Sequence, residues 1–158
     1  MSYELQAVIG GTEALRRVCG DLRAGRVVEL EQDLAMVPMT EALFDEVADG
    51  TQDADGLGFW FLPGGFGDAL ARWSTASPVA YVEAEYCGGA GLQRAAVWSH
   101  GVLSLGPLTL AEHEQIPAQG TPISVALRSL GARCTAGTDE FRAVGLQRHR
   151  HTEDWAST

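Results

Sequence analysis

Glu83 and Glu85 stand two residues apart in an alternating stretch, Val79 to Tyr86, and Cys87 follows at once. In a strand that spacing sends both carboxylates out of one face, together with Val79 and Tyr81, while Ala80, Val82, Ala84 and Tyr86 form the opposite one. Paired carboxylates can exchange protons or hold a hard metal ion. Cys87 beside Gly88-Gly89-Ala90-Gly91 could serve as a nucleophile with His100 as its base. The plainer alternatives are a solvated or partner-facing strand face, with Arg94 across the hairpin, and a glycine turn that needs no chemistry.

Two further groups have the residue types of a site. His149, His151 and Glu153 would face one way in an extended segment, a metal-like set lacking the H-E-x-x-H spacing. The alternatives are a solvated tail, or a basic tail folded back on acidic chain, where two histidines would make the contact pH-sensitive. Gly10-Gly11-Thr12 joins a strand to a helix where a phosphate could sit. Neither G-x-G-x-x-G nor G-K-[ST] is present, so a tight turn is expected there.

Charge is the strongest signal. Nine carboxylates lie between Glu29 and Asp55 (Glu29, Glu31, Asp33, Glu41, Asp45, Glu46, Asp49, Asp53, Asp55) with no Arg among them, whereas Arg142, Arg148, His149, Arg150 and His151 cluster near the end. The net charge is -10. Such a surface repels duplexes and anionic leaflets and attracts basic proteins. All cations are Arg. The absence of Lys excludes Schiff-base and phosphate-loop lysine chemistry.

The cysteines Cys19, Cys87 and Cys134 are too few and too scattered for a disulfide framework, and no C-x-x-C occurs. Together with an N-terminus (Met1-Ser2-Tyr3-Glu4) that has no basic signal region, this gives a cytoplasmic expectation. Ala95 to Ala111 carries no formal charge, but Gly101, Gly106 and Pro107 break it into strands rather than a span.

The elements that would position these groups follow from periodicity. Tyr3, Leu5, Ala7 and Ile9 alternate as a strand, and Leu15, Val18, Cys19 and Leu22 recur as a helical stripe. Val27 to Leu30 and Leu34 to Met39 read as short strands. Thr40 caps a helix with Leu43, Phe44, Val47 and Ala48 inside. Asp49 to Gly58 reads as a mobile loop. Phe59 to Leu62 is apolar on both faces, as a central buried strand would be.

Phe66, Ala69, Leu70 and Trp73 predict a third helix, followed by strands Val79 to Tyr86, Leu92 to Trp98 and Val102 to Leu110. Thr121-Pro122 opens a fourth helix in N-cap and N1 order, and Thr138 to Phe141 predicts a short fifth. The expectation is an α+β domain spanning residues 1–158: a mixed, mainly antiparallel sheet of about six strands with four to five helices packed on it, and a polar tail from about residue 146.

Two stretches carry a resemblance. One is Tyr81-Val82-Glu83-Ala84-Glu85-Tyr86 with Gln93-Arg94-Ala95-Ala96-Val97-Trp98. The other runs from Asp139-Glu140-Phe141 through Gly145-Leu146 and Arg148-His149-Arg150 to Glu153-Asp154-Trp155. With the N-terminal strand and helix, the chain resembles, over nearly its whole length, small uncharacterised bacterial proteins, mostly actinobacterial, of similar length. The resemblance implies no activity and supplies no site residue. Small acidic proteins of this kind look like immunity proteins by analogy alone.

The expectation for function is therefore a non-enzymatic acidic interaction protein that binds a basic protein partner, in its most specific form an immunity or antitoxin-like inhibitor. It needs no cofactor and contacts neither nucleic acid nor membrane. Its expected contact residues are Asp45, Glu46, Asp49, Asp53 and Asp55, joined by Glu83 and Glu85. The competing expectation is a small-ligand or metal-binding enzyme that uses Glu83, Glu85, Cys87 and His100, or a metal at His149 and His151. A homo-oligomeric structural module is the third.

Overall fold

The N-terminal alternation forms β1 (Ser2–Gly11), but both of its faces are covered: Leu5, Ala7 and Ile9 on one side and Val8 on the other are fully buried. The computed structural model describes residues 2–51, 56–88 and 90–157. After β1 come α1 (Thr12–Val18), β2 (Val28–Glu29), β3 (Leu34–Pro38), α2 (Glu41–Val47) and α3 (Phe66–Trp73). The strands β4 (Val79–Cys87), β5 (Ala90–Ser99) and β6 (Val102–Leu110) follow, then α4 (Pro122–Ser129), α5 (Glu140–Ala143), a 3-10 turn (Leu146–Arg148) and α6 (Thr152–Ala156).

The six strands make one sheet in the order β2-β3-β1-β4-β5-β6, and every ladder among the described residues is antiparallel. One isolated parallel bridge joins Glu4 to His151. The α+β class and the six strands are as expected, with α6 added beyond the expected helices.

Two apolar layers sandwich the sheet. Leu5, Ala7, Ile9, Met36, Val82 and Val97 meet Ile123, Ala126 and Leu127 of α4, with Leu146 and Trp155. On the other face Val8, Val37, Tyr81 and Trp98 meet Leu15, Leu43, Phe66 and Leu70 of the first three helices. The hydrophobic effect drives both layers, since each sheet face must be removed from water. Thr40 and Thr121 cap α2 and α4, as their sequences predict, accepting the N–H of Leu43 and Ser124.

Three expectations are corrected. Phe59 to Leu62 is not a strand. It crosses the Tyr81 face of the sheet as irregular chain, and the backbone N–H groups of Trp60 and Phe61 are taken by the Glu83 side chain of β4 rather than by a neighbouring strand.

The C-terminal segment is not a solvated tail. Trp155 is 1% exposed and belongs to the core, Tyr3 donates its hydroxyl to the Leu146 carbonyl, and the Glu4 N–H reaches the Arg150 carbonyl. The alternative of a tail packed back on acidic chain is met in part: Arg148 donates to the backbone carbonyl of Glu29 at 2.6 Å, not to its carboxylate.

Finally, the acidic run does not form one patch. The five-residue β3 separates Glu29, Glu31 and Asp33 from Glu41 and α2, a distance of roughly 16 Å along the strand. The middle of the Asp49–Gly58 loop, including Asp53 and Asp55, lies outside the described residues.

β6 is the long open edge of the sheet, with Val102 and Leu103 exposed. Register shifts against β5 and Pro107, which has no N–H to offer, break the regularity of that edge. Both are devices that discourage strand addition.

Candidate functional site

Glu83 sits at the middle of β4 with Gln6 of β1 on one side and Arg94 of β5 on the other. The sequence places it on the face of Tyr81, and the structure buries that face. Glu83 is 0% exposed, so the solvated or partner-facing reading of this residue is corrected. Its carboxylate accepts the backbone N–H of Trp60 at 2.8 Å and of Phe61 at 2.6 Å. Tyr81 donates its hydroxyl to the Phe61 carbonyl at 2.6 Å. Side chains of one strand thus satisfy three polar backbone groups of a part-buried irregular segment.

Burial raises the Glu83 carboxyl above the ordinary glutamate range, while the N–H groups of Trp60 and Phe61 and the nearby Arg94 act in the opposite sense. Burial, with help from the Glu83 charge, also pushes the Tyr81 phenol well up. Arg94 lies across the ladder from Glu83 and places its guanidinium 4.2 Å from the centre of the Trp60 ring. The Glu83–Arg94 pairing read from the sequence is therefore real, but it serves to hold an aromatic segment from beneath.

Beyond Glu83 the same sheet face carries a cleft of about 610 Å³. Its lining includes Glu4 and Glu85 from facing positions of β1 and β4, Glu41 from α2, and Glu153 from α6. Trp60, Phe61 and Met39 supply its apolar surface, and His151 stands at its edge. No arginine lines it among the described residues.

One wall is fastened by the C-terminal segment. The Gln6 N–H donates to Thr152 Oγ1, which donates in turn to Gln6 Oε1, both at 3.0 Å, and Glu153 accepts the Glu41 N–H at 3.1 Å. Like charges facing each other across a ladder, as Glu4 and Glu85 do, repel unless a cation lies between or near them.

The other expected contact residues fare differently. Asp45, Glu46 and Asp49 are exposed, but Glu46 accepts the N–H groups of Ala24 at 2.7 Å and Arg23 at 2.9 Å. These bonds hold its carboxyl below the usual range. Asp49 accepts from the Thr51 hydroxyl and N–H and is likewise lowered. Both carboxylates are occupied in shaping local chain. At the far end of the sheet a second cleft, of about 650 Å³, mixes Glu13, Glu29, Glu31 and Asp33 with Arg16 and Arg17. Arg16 pairs with Glu29 there at 2.8 Å, so the charge is partly cancelled.

The nucleophile pairing is corrected. Cys87 ends β4, whereas His100 turns the β5–β6 hairpin beside Val79, at the opposite end of that strand. About 26 Å of strand separates them. The histidines do not converge either: His149 packs edge-on against Trp155 at 4.7 Å, while His151 lines the cleft. Among the described residues no three His, Cys, Asp or Glu side chains form a metal-sized group. No helix of the described residues is long and apolar enough to cross a membrane.

Sequence reasoning found Glu85 and missed Glu4, Glu41 and Glu153 as its companions. Only the register of β1 on β4 and the docking of α6 bring them together, and neither is written in local spacing. Compared with protein-family models, curated proteins and solved structures, the chain matches none.

Proposed function

We propose that this chain is a non-enzymatic, cytoplasmic interaction protein that engages a basic protein partner, with the Glu4–Glu41–Glu85–Glu153 cleft as its contact site. One observation carries the reading: four acidic residues from four separate elements line a single concavity with an aromatic wall and, among the described residues, no arginine. An anionic cleft on a protein of net charge -10 speeds encounter with cationic surfaces and repels polyanions. The most specific form of the reading is an immunity or antitoxin-like inhibitor, whose carboxylates would occupy a partner's phosphate-binding site. The contact set moves from Asp45, Glu46 and Asp49 to the cleft because acids of four elements share one concavity there; Glu153, like Glu46 and Asp49, also accepts a backbone N–H.

The test is capture of purified basic proteins on the immobilised chain at about 50 mM and about 500 mM salt, beside a Glu4→Gln/Glu85→Gln/Glu153→Gln variant. Binding that falls with salt and is lost in the variant supports the reading. Binding indifferent to both contradicts it.

A further inference from the structure

The cleft has features that distinguish among cations. We propose that its occupant is an arginine side chain of the partner, its guanidinium held by the facing Glu4–Glu85 pair and laid against Trp60. This rests on the basic-partner reading above and narrows it to one side chain.

Glu4 and Glu85 are direct cross-strand neighbours, so their β-carbons stand about 5 Å apart and their carboxylates project side by side from one sheet face. A guanidinium presents its donors as a flat, rigid fork that can bridge two adjacent carboxylates, whereas an ammonium is a compact point charge that keeps its water more tightly.

The second feature is the indole. Trp60 is 42% exposed, and it is held in place from behind by its N–H bond to buried Glu83. Arg94 covers part of the ring from within the protein and does not line the cleft, while Trp60 does. The ring therefore keeps surface for the cleft's occupant. It already carries one guanidinium at 4.2 Å, which shows the contact this indole supports. Phe61 completes an apolar wall suited to the methylene stem of a long cationic side chain, with buried Met39 behind it. Glu41 and Glu153, tied to each other through the Glu41 N–H, add negative charge at the rim.

The remaining groups do not compete for the place. His151 is exposed at the edge, and no Arg of the described chain enters the cleft. Complementary charge, aromatic surface and the spacing of a carboxylate pair thus favour the same side chain.

The experiment titrates the intact chain with two peptides of equal length and charge, one oligo-arginine and one oligo-lysine, followed by the indole N–H signal of Trp60 in NMR spectra. The expected result is binding of the arginine peptide about fivefold tighter than the lysine peptide, with movement of the Trp60 signal. Glu85→Gln should weaken both, and Trp60→Ala should erase the preference. Equal affinity for both peptides, lost together in Glu4→Gln/Glu85→Gln, overturns the arginine assignment and leaves the basic-partner reading standing. An arginine preference that survives in Trp60→Ala also overturns it. Failure of both peptides to move any cleft signal overturns the arginine assignment and the basic-partner reading together. Trp60 and Glu85 are exposed, and a Trp60→Phe variant with native circular dichroism separates loss of the indole from loss of the fold.

Discussion

The carboxylate of Glu83 accepts the backbone N–H of Trp60 at 2.8 Å, so a fully buried acid holds the backbone from which an exposed indole projects. Replacing Glu83 with Ala takes the acceptor from the part-buried N–H groups of Trp60 and Phe61. An unsatisfied buried donor costs about 1–3 kcal/mol, so Glu83→Ala should lower unfolding stability by roughly 2–4 kcal/mol. Urea denaturation measures this. A loss below about 0.5 kcal/mol, the ordinary surface value, would show that the segment does not depend on Glu83.

The same residue gives a pH signature. Its folded pKa is raised, first by burial, so the folded protein binds this proton more tightly than the unfolded chain does. Stability from this group is therefore greatest below the ordinary glutamate range and declines as pH rises through the raised folded value. Glu46 runs the other way. Its carboxyl is lowered by the Ala24 N–H and then the Arg23 N–H, so its contribution is present above the ordinary range and lost as pH falls through the lowered value. Stability–pH curves of Glu83→Gln and Glu46→Gln, each subtracted from the parent curve, should slope in opposite directions. Slopes of one sign would contradict the assignment.

Much of the scaffold was legible before the structure. The strands around Glu83 and Arg94, the caps Thr40 and Thr121, and the buried helical residues Leu15, Leu43, Leu70 and Leu127 depend on short-range periodicity and stand as read, but α1 ends at Val18, so Cys19 and Leu22 of its expected stripe fall beyond the helix. Phe59 to Leu62 misled because an apolar run reports burial without saying whether a ladder or side chains satisfy its backbone. Glu83 misled for the converse reason: a strand acid looks solvated until the chain that covers it is known. The cleft was half legible, through Glu85 alone. Glu4 joins by register, Glu41 by the end of β3, and Glu153 by docking of the C-terminal helix around Trp155.

That docking is testable by itself. Trp155 is among the largest fully buried side chains. Trp155→Ala should cost about 3–5 kcal/mol, and it should expose the Gln6–Thr152 bonds to solvent. Hydrogen exchange at the Gln6 amide, which donates to Thr152, should accelerate with the fall in stability. An unchanged melting temperature would mean that the segment is appended rather than integral.

The three thiols should separate by reactivity. Cys19 is buried and its thiol is pushed up to about 11 by that burial, and Cys134 is raised by its bond to Glu140 at 3.3 Å. Cys87 is exposed at a strand end. The thiolate is the reactive form, so mass spectrometry after brief alkylation near neutral pH should find Cys87 modified first, Cys134 later and Cys19 last. Labelling of Cys19 at the rate of Cys87 would contradict the buried placement of α1's C-terminal end.

The most direct measurement for the account as a whole is the affinity of a purified basic protein for the intact chain against that for Glu4→Gln/Glu85→Gln, across a salt series. Loss of one charge contact typically costs about 1 kcal/mol or less at an exposed rim and more where water is excluded. The double variant should bind at least about tenfold more weakly, with a shallower salt dependence. Equal affinity and equal salt dependence in the two proteins would place the contact elsewhere and contradict the cleft as the site of recognition.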